Sequence, residues 1–313
     1  MSFEIMGSRH YPLIIVGGGP AGLTAGIYAT RARLKTLLLE RASPGGQIVN
    51  AGLVENYPGF PQGISGFELG QLMEEQAIKH GLKIERAEVS GIELAEGKKI
   101  VKTSEGNYIA DAIIIAVGSE HAKLGIPGEG GLVGRGLSYC ATCDGPLFRD
   151  RVVAVVGGGN VAITDALFLS RFTARVFVIH RRDQLRAAKI LQERAFADPK
   201  IELIWDTVVE AIEGNGSVTG LQLRNIKTGE RSPLRVDGVF MTAGSKPNTE
   251  YLAGILKLAP GGFIPVNVQM ETEIAGILGA GDIRQGSIRQ VVAAAGDGAI
   301  AAISAERFLT QNK

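Results

Sequence analysis

The stretch that decides the fold is Tyr11–Gly22, which reads YPLIIVGGGPAG and joins a short apolar run to a glycine-rich turn. The turn matches the pattern GxGxxG at Gly17, Gly19 and Gly22. In such turns the first glycine permits a tight bend, the second lets the backbone approach a pyrophosphate, and the third allows helix and strand to pack closely. The helical stretch that follows, to about Arg33, would direct free N–H groups toward the phosphates. This stretch therefore predicts the strand, turn and helix of a dinucleotide-binding unit.

An acidic residue follows this turn at the distance expected of a ribose ligand. The second apolar run, Thr36–Leu39, ends at Glu40, which lies 21 residues after Gly19. A carboxylate in this place can accept hydrogen bonds from a ribose diol. Glycine turns alone occur in many loops, but the strand–helix–strand context with Glu40 favours nucleotide binding.

The same design recurs 140 residues later in the stretch Arg151–Ala162, which reads RVVAVVGGGNVA. Gly157 and Gly159 repeat the first two glycines of the pattern, and Ala162 is the permitted variant at the third position. A helical stretch and a second apolar run follow, as in the first unit. The chain is therefore predicted to contain two dinucleotide-binding units.

The end of the second strand differs between the two units. The constant offset places His180 where the first unit has Glu40, and Arg181, Arg182 and Arg186 follow. A carboxylate would repel a ribose 2′-phosphate, whereas guanidinium groups bind one bidentately. The second unit is therefore predicted to prefer NADPH over NADH, the alternative being a solvated basic start of a helix.

Two further apolar runs, Asp111–Gly118 (DAIIIAVG) and Asp237–Gly244 (DGVFMTAG), are predicted to be the closing strands of the two units. Near the C-terminus, Gly276–Asp282 reads GILGAGD and precedes a helix pattern of small residues at 291–308. A short strand that ends at Asp282 beside glycines suits the polyol or phosphate region of a cofactor. A helix cap by Asp282 is the alternative.

These patterns predict an α/β fold made of two Rossmann-like dinucleotide-binding domains of the three-layer β/β/α type. If the C-terminal part completes the first unit, the first domain is discontinuous. We then expect residues 1–118 and 246–313 to form the FAD-binding domain on either side of an inserted NADPH-binding domain, residues 119–245, which carries both cysteines.

The two cysteines, Cys140 and Cys143, are three positions apart in the stretch CATCD, so one helical turn can bring them close enough for a disulfide. Zinc usually takes four ligands, and no histidine lies near the pair in sequence, so no metal site is predicted. Inert buried cysteines are the other alternative. A CxxC pair beside two dinucleotide turns indicates redox activity.

A flavin can accept hydride from a nicotinamide and pass electrons to a disulfide. The combination of motifs therefore predicts FAD in the unit that contains Glu40 and NADPH in the other unit. Asp144 follows Cys143 directly and is the nearest titratable side chain, so it can serve the thiols as an acid or a base.

Composition and charge exclude several other classes of protein. Glycine accounts for 43 of 313 residues, but it is clustered and does not recur at every third position as in collagen. The net charge of +1 indicates no field for binding nucleic acid. No apolar run approaches the roughly 18 residues of a membrane span, and no signal peptide is visible, so we expect a cytoplasmic protein without a membrane partner.

Taken together, the motifs resemble those of the low-molecular-weight thioredoxin reductases over nearly the whole chain. They are, in order, GGGPAG at Gly17–Gly22, GGQ at Gly45–Gln47, ENYPGF at Glu55–Phe60, CATCDG at Cys140–Gly145, GGGN at Gly157–Asn160, HRRD at His180–Asp183, and GAGD with RQVV within Gly279–Val292. The larger glutathione-reductase type is excluded because it spaces its cysteines by four residues and uses a C-terminal histidine, and no histidine follows His180 here.

The resemblance implies roles that the motifs alone do not fix. It implies that Cys143 lies against the flavin, that Cys140 attacks the disulfide of thioredoxin or a thioredoxin-like protein, and that Asp144 is the acid–base residue. It further implies a homodimer whose NADPH domain rotates relative to the FAD domain. The predicted FAD contacts beyond the first turn and Glu40 are Gly45, Gly46, Gln47, Asn56, Gly118, Asp282, Arg289 and Gln290. The predicted NADPH contacts are Gly157, Gly159, Asn160, His180, Arg181, Arg182 and Arg186.

The chain departs from the common pattern of this family in two places. Thr164 and Asp165 stand where the family usually has two glutamates, near the contacts to the nicotinamide. Pro146 and Leu147 stand where a well-studied branch has two phenylalanines that help to grip thioredoxin, and Arg135 matches a position implicated in docking.

Two rival functions use the same fold. One is a flavin-dependent dithiol oxidase, and the other is a disulfide reductase that takes its electrons from ferredoxin. Such relatives tend to lose the arginines that hold the nucleotide phosphate, so the retention of Arg181, Arg182 and Arg186 favours an NADPH-dependent reductase.

Overall fold

The computed structural model of the chain describes residues 9–51, 53–95, 97–242 and 244–311. The chain forms two compact units, each with its own core. The first takes in the described residues of Met1–Ala51, Tyr57–Glu120 and Lys246–Lys313, and the second those of Gly52–Asn56 and His121–Ser245. In the part of the chain that the structure describes, no helix combines the length and the apolar character needed to cross a bilayer.

The secondary structure is numbered in chain order. The strands are β1 (Arg9–Val16), β2 (Thr36–Glu40), β3 (Lys83–Arg86), β4 (Val89–Ala95), β5 (Lys98–Thr103), β6 (Gly106–Ile115), β7 (Ser119–His121), β8 (Leu137–Ser138), β9 (Val152–Val156), β10 (Arg175–Ile179), β11 (Ile201–Ile204), β12 (Thr207–Gly214), β13 (Val218–Asn225), β14 (Arg231–Arg235), β15 (Gly238–Met241), β16 (Ser245–Pro247) and β17 (Ile277–Gly279). The α-helices are α1 (Pro20–Arg31), α2 (Gly66–Lys79), α3 (Ala141–Asp144), α4 (Asn160–Leu169), α5 (Lys189–Ala197) and α6 (Val291–Gln311).

The first unit is built on a seven-stranded sheet of order β3-β2-β1-β6-β5-β4, with β17 also paired to β6. The pairs among β3, β2, β1, β6 and β17 are parallel, whereas β4, β5 and β6 form an antiparallel meander. The interior of β1 is apolar at successive positions, Leu13, Ile14 and Ile15, and all three are fully buried. A continuous apolar run is expected where both faces of a parallel strand are covered.

The C-terminal segment completes the sheet of the first unit. In β17, Ile277 lies opposite Ile113 of β6, and Leu278 lies opposite Ile114. The long helix α6 then packs against α1 on the face of this sheet that carries the helices. The second unit is therefore an insertion in the first.

The second unit consists of three layers, which are helices, a parallel sheet and an antiparallel sheet. Its parallel sheet has the order β11-β10-β9-β15-β8, and the antiparallel strands β12, β13 and β14 form a separate sheet. Along β9, Val153 and Val155 pack in the core on the side of α4 and α5, whereas Ala154 packs in the core shared with the antiparallel sheet. This alternation covers both faces of the parallel sheet, and the predicted fold of two three-layer Rossmann-like units is confirmed.

The element boundaries differ from the predictions by a few residues. The strand β1 begins at Arg9 instead of Tyr11, and α1 ends at Arg31, whereas the prediction extended it to about Arg33. Ala243, within the second predicted closing strand, lies outside the described residues. The units divide after Glu120 and Ser245, compared with predicted divisions after residues 118 and 245.

Close packing between α1 and α6 depends on Gly298. A Cβ atom at Gly298 would lie 2.1 Å from the carbonyl oxygen of Ala21 and 3.1 Å from the nitrogen of Ala25, both backbone atoms of α1. Since backbone cannot move aside like a flexible side chain, a methyl group here would push the two helices apart. Gly296, two residues earlier on the same helix, is exposed and has no such neighbour within 4 Å.

We therefore expect Gly298→Ala to destabilise the protein by about 2 kcal/mol or more through overpacking. Gly296→Ala is the matched control and should stabilise α6 by about 0.5–1 kcal/mol, since alanine is the better helix former. Urea unfolding of both variants measures the difference as a change of midpoint. Equal shifts in the same direction would contradict the packing argument.

Candidate functional site

The first glycine turn has the geometry of a phosphate-binding loop. Gly17 has a φ of +104°, and its N–H donates to the carbonyl of Leu39 at 2.9 Å, which ties the turn to β2. A Cβ atom at Gly22 would lie 1.8 Å from the carbonyl oxygen of Gly17, so this position requires glycine for the helix to approach the turn. At Gly19 a Cβ atom would meet a single neighbour, the Cα of Gly46, at 3.8 Å. The backbone at Gly19 is therefore open to a ligand, as a pyrophosphate requires.

Glu40 is held against this turn by two backbone donors. Its Oε2 accepts from the N–H of Gly18 at 2.6 Å, and its Oε1 accepts from the N–H of Ala42 at 2.9 Å. A Cβ atom at Gly18 would lie 3.2 Å from the Cγ of Glu40. The carboxylate is thus oriented at the end of β2, and each oxygen keeps a lone pair that a ribose hydroxyl can use. The role of Gly18 was not predicted, because the pattern GxGxxG leaves its second position free.

The GGQ motif lies on the same turn. The N–H of Gly45 donates to the carbonyl of Gly18 at 2.8 Å. Gly46 has a φ of +65°, and a Cβ atom there would lie 2.9 Å from the Cα of Gly19. The fold therefore brings the predicted FAD residues Gly45 and Gly46 against the first glycine turn, with Gln47 next in the short helical turn that begins at Gly46.

The GAGD motif is held by a buried ion pair. The Nε of Arg284 donates to Oδ2 of Asp297 at 2.5 Å, and the N–H of Gly281 donates to the same oxygen at 3.1 Å. A Cβ atom at Gly281 would lie 2.9 Å from the Cβ of Ala21, so this segment lies beside the start of α1. Asp297 thereby fixes the backbone next to Asp282. Its part was not predicted, because an acidic residue in a helix pattern of small residues has no distinguishing local signal.

Asp282 and Arg289 are linked through Ser287. The hydroxyl of Ser287 donates to Oδ1 of Asp282 at 2.9 Å and accepts from the N–H of Arg289 at 3.2 Å. Burial raises the pKa of Asp282, against the opposing effects of Ser287 and of the Arg289 charge. The guanidinium of Arg289 lies 5.8 Å from the centre of the Phe263 ring. Asp282 is thus a half-buried carboxyl group in a polar setting, and it lies within the short helical turn Gly281–Ile283, whose N-cap position is Ala280.

The other predicted FAD residues lie at three separate places. Gly118 has a φ of +65°, and its carbonyl accepts from the N–H of Asn248 at 3.4 Å. Gln290 directly precedes α6, and its carbonyl accepts from the N–H of Ala294 at 2.9 Å. Asn56 belongs to the segment Gly52–Asn56, which groups with the second unit. Their contacts with a cofactor therefore stay predictions.

The second glycine turn repeats the geometry of the first. The N–H of Gly157 donates to the carbonyl of Ile179 at 3.0 Å, as Gly17 does to Leu39. A Cβ atom at Gly157 would lie 2.1 Å from Oγ1 of Thr242, and one at Gly159 would meet nothing within 4 Å. Gly159, like Gly19, is thus open for the approach of a phosphate.

The imidazole ring of His180 packs against this turn at Gly158. A Cβ atom at Gly158 would lie 2.4 Å from the imidazole ring, and Nε2 of His180 donates to the carbonyl of Gln184 at 3.1 Å. Burial lowers the pKa of His180, and the three neighbouring arginines lower it further, against the effect of the bond to Gln184. The imidazole is therefore neutral at neutral pH. Its direct contact with a cofactor stays a prediction, since the ring packs under Gly158 and holds the loop that follows.

The loop of residues 181–188, here called the arginine loop, is bonded to the second glycine turn at several points. The N–H of Arg186 donates to the carbonyl of Gly158 at 2.7 Å, and the side-chain oxygen of Asn160 accepts from the N–H of Ala188 at 2.7 Å. The side chains of Arg181, Arg182 and Arg186 are exposed. Within the described ranges, none of these three guanidinium groups has a hydrogen bond or ion pair with another side chain. They are therefore available to an anion.

Cys140 and Cys143 form a disulfide, with their Cα atoms 5.3 Å apart. Cys140 follows β8 and precedes the short helix α3, in which Cys143 lies. The N–H of Cys143 donates to Sγ of Cys140 at 3.2 Å. A hydrogen bond to a charged acceptor is stronger than one to a neutral acceptor, so this N–H would stabilise a thiolate on Cys140. The predicted redox pair is therefore in place.

Asp144 lies one residue beyond the disulfide and is half-buried. The hydroxyl of Ser138 donates to its Oδ2 at 2.6 Å. Burial raises the pKa of Asp144, and the bond from Ser138 opposes this shift. A carboxyl group with a raised pKa beside a dithiol is suited to general acid–base chemistry. Ser138 was not predicted, because nothing in the sequence separates it from other serines near a strand end.

The two departures from the family pattern are also placed by the structure. Thr164 and Asp165 lie on α4, where burial raises the pKa of Asp165 to about 6. Pro146 and Leu147 follow α3 and are exposed, Leu147 to 50%. Among the described residues, no three histidine, cysteine or acidic side chains are grouped so that they could hold a metal ion.

Comparison with known proteins agrees with these features. The family model described as pyridine nucleotide-disulphide oxidoreductase matches residues 11–298. The curated thioredoxin reductase of Streptomyces coelicolor is 47% identical over 95% of this chain and 93% of its own length. That of Bacillus subtilis is 45% identical over 96% of this chain and 95% of its own length. The chain belongs to the thioredoxin reductase family.

A solved thioredoxin reductase structure is also similar to this chain. The enzyme from Streptococcus pyogenes superposes with a TM-score of 0.94 at 42% identity, and the match covers 97% of this chain and 99% of that one. Membership of the thioredoxin reductase family confirms the resemblance that the motifs indicated, together with the fold and the oxidoreductase class.

Proposed function

We propose that the chain is an NADPH-dependent thioredoxin reductase that binds FAD. When bound, FAD would take the hydride of NADPH and supply an electron pair for the Cys140–Cys143 disulfide, and the dithiol then reduces the disulfide of thioredoxin or a thioredoxin-like protein. The observation that carries this proposal is the disulfide itself, in a chain with two glycine turns open to pyrophosphates. A dithiol with no cofactor would have no source of electrons.

The residues of the first unit fit FAD. The open backbone at Gly19 suits its pyrophosphate, and the oriented carboxylate of Glu40 suits the adenosine ribose. We assign Asp282 to the polyol region, since its segment lies beside the start of α1. When bound, FAD supplies the conversion of a hydride into electrons that a disulfide can accept.

The residues of the second unit fit NADPH. Gly157 and Gly159 shape the turn for the pyrophosphate, and the three exposed arginines suit the 2′-phosphate. Asn160 and His180 hold the turn and the arginine loop together, and so keep the guanidinium groups near one another.

At the dithiol, each step is a thiol–disulfide exchange. The Cys140 thiolate attacks one sulfur of the substrate disulfide and forms a mixed disulfide, and the sulfur that leaves takes a proton from Asp144. The ionised Asp144 then accepts the proton of the Cys143 thiol. The resulting Cys143 thiolate attacks Sγ of Cys140, which restores the Cys140–Cys143 disulfide and releases the second substrate thiolate. We assign the first attack to Cys140 because its sulfur receives the N–H of Cys143.

The docking surface for the protein substrate is proposed to surround the cysteines. Pro146 and Leu147 are two exposed apolar residues directly after α3, and Arg135 is an exposed cation that precedes the two cysteines in sequence. Exposed apolar residues together with an arginine are typical of a protein–protein interface.

We further propose a homodimer. The helix α6 exposes Val292, Ile300 and Ile303, which recur at helical spacing and lie 39% to 46% exposed. A repeated apolar stripe on a surface helix suits a second copy of the chain. Because the proposed reaction keeps a substrate protein in its dithiol form at the expense of NADPH, the cytoplasm is the proposed location.

A spectroscopic experiment tests the function. The purified protein should show a flavin spectrum that NADPH bleaches without oxygen, while NADH bleaches it much more slowly, and thioredoxin should then restore the colour as it is reduced. Bleaching by reduced ferredoxin but not by NADPH would assign the chain to the ferredoxin-dependent reductases. Bleaching by a small dithiol followed by recovery with oxygen alone would indicate a dithiol oxidase.

A further inference from the structure

Ser138 occupies a position between the acid–base residue and the redox pair. It is 4% exposed and lies at the end of β8. Its Oγ lies 2.6 Å from Oδ2 of Asp144, 3.0 Å from the backbone nitrogen of Cys140 and 3.3 Å from the carbonyl oxygen of Cys140. Within the described part of the chain, Ser138 is the hydrogen-bond partner of the Asp144 carboxyl group.

A serine hydroxyl has one proton to donate and two lone pairs that accept. In this site one lone pair always accepts the N–H of Cys140, because an N–H can only donate. The remaining lone pair and the proton can be used in two ways. When Asp144 is ionised, the hydroxyl proton points to its Oδ2. When Asp144 is protonated, the carboxyl group donates to Oγ, and the hydroxyl proton turns to the carbonyl of Cys140.

Both settings use the same positions of the heavy atoms. The carboxyl group is therefore hydrogen-bonded before and after it loses its proton, and a rotation of one hydroxyl separates the two states. Without this partner, a half-buried carboxylate would lose its side-chain hydrogen bond, which is costly.

We propose that Ser138 is a positioning residue that keeps Asp144 hydrogen-bonded in both protonation states, and so lets Asp144 exchange a proton with the dithiol without rearrangement. This inference rests on the proposed function for the role of Asp144. In the step that releases the first substrate sulfur, Asp144 gives its proton to that thiolate, and the Ser138 hydroxyl turns from the Cys140 carbonyl to the new carboxylate.

Few other charges face Asp144. Its helix α3 packs against α4 and the turn Gly145–Phe148. The turn has no titratable side chain, and α4 contributes Asp165. The dithiol adds a negative charge when a cysteine is a thiolate, which would raise the pKa of Asp144. Burial also raises this pKa, and the bond from Ser138 is the influence that lowers it. Removal of the hydroxyl should therefore raise the pKa of Asp144 further.

The test compares Ser138→Ala with the unchanged protein. Asp144 is titrated in the oxidised protein, without nucleotide or thioredoxin, by NMR of protein labelled with 13C at aspartate carboxyl groups, and Asp144→Asn identifies the signal. We expect the midpoint to rise by about one pH unit in Ser138→Ala, since, of the two hydrogen bonds that are lost, the one to the charged carboxylate is stronger than the one from the neutral carboxyl group. Ser138→Thr, which keeps the hydroxyl, should restore it.

Ser170→Ala is the matched control. Ser170 is a serine buried to a similar degree in the same unit, and its hydroxyl donates to the carbonyl of Leu167. Its removal should leave the Asp144 midpoint unchanged. In turnover, Ser138→Ala should move the alkaline limb of the pH profile for thioredoxin reduction upward and leave the rate of flavin bleaching by NADPH unaltered.

An unchanged midpoint in Ser138→Ala, or an equal rise in Ser170→Ala, overturns the inference. The titration needs neither electron donor nor substrate, so its result is separate from that of the proposed function. If the unchanged protein fails to reduce thioredoxin, the function is wrong, while the midpoint still decides whether Ser138 controls Asp144.

Discussion

Replacement of Cys140 by serine is expected to lower the rate of thioredoxin reduction by roughly a thousandfold or more, while NADPH still bleaches the flavin. A serine hydroxyl at this position cannot form the mixed disulfide, because it is not ionised near neutral pH and does not take part in thiol–disulfide exchange. Flavin bleaching should persist because it precedes the use of the dithiol. The measurement is a steady-state assay of thioredoxin reduction beside anaerobic stopped-flow absorbance.

The companion variant Cys143→Ser separates the roles of the two cysteines. In that protein Cys140 is a free thiol without a resolving partner, so its mixed disulfide with thioredoxin should accumulate and appear on a non-reducing gel. Cys140→Ser should give no such band. Trapping by Cys140→Ser alone would reverse the assignment, and sustained turnover by Cys140→Ser would refute the role of Cys140. The N–H of Cys143, 3.2 Å from Sγ of Cys140, is the structural reason for the expected order.

The parts of the fold that could be predicted have local causes. The two glycine turns and their strands could be predicted from the glycines, the apolar runs and the spacing between them, which all lie within about 30 residues of sequence in each unit. Gly17 and Gly157 needed no tertiary information, since the bend itself requires glycine. The sequence also predicted that the second unit is an insertion if the C-terminal part completes the first unit, because GILGAGD has the features of a strand that ends at a cofactor. In the structure β17 pairs with β6, which meets this condition.

The parts that could not be predicted depend on contacts between distant elements. Asp297 bonds Arg284 and Gly281 across a turn, and its place in a helix pattern of small residues has no local sign of this. The ring of His180 packs against Gly158, which is a contact between two separate segments of the chain, and its predicted contact with a nucleotide stays a prediction. Ser138 is six residues from Asp144, and only the bend through Cys140 brings their oxygens together.

The second large effect is expected at the arginine loop. In the double variant Arg181→Ala, Arg182→Ala, the kcat/KM for NADPH should fall by roughly a hundredfold or more, since each guanidinium contributes a charge-assisted hydrogen bond of about 1.5–3 kcal/mol to the 2′-phosphate. The kcat/KM for NADH should change little, because NADH has no group for these side chains to bind. The ratio of the two constants, measured by flavin bleaching, isolates the effect from any loss of folding.

Arg235→Ala is the matched control for this prediction, since Arg235 is an exposed arginine of the same unit on the edge strand β14, away from the glycine turn. It should leave the ratio unchanged. The guanidinium groups of Arg181 and Arg182 are exposed and have no carboxylate partners within the described residues, so a phosphate meets charges that are not already neutralised. Asp183, the acidic residue within this loop, is bonded to Lys227 at 3.1 Å and so does not compete. Equal kcat/KM values for NADPH and NADH in the unchanged protein would contradict the assignment of the whole loop, whereas a drop for both nucleotides in the double variant would show that the arginines support the fold of the turn instead of selecting the phosphate.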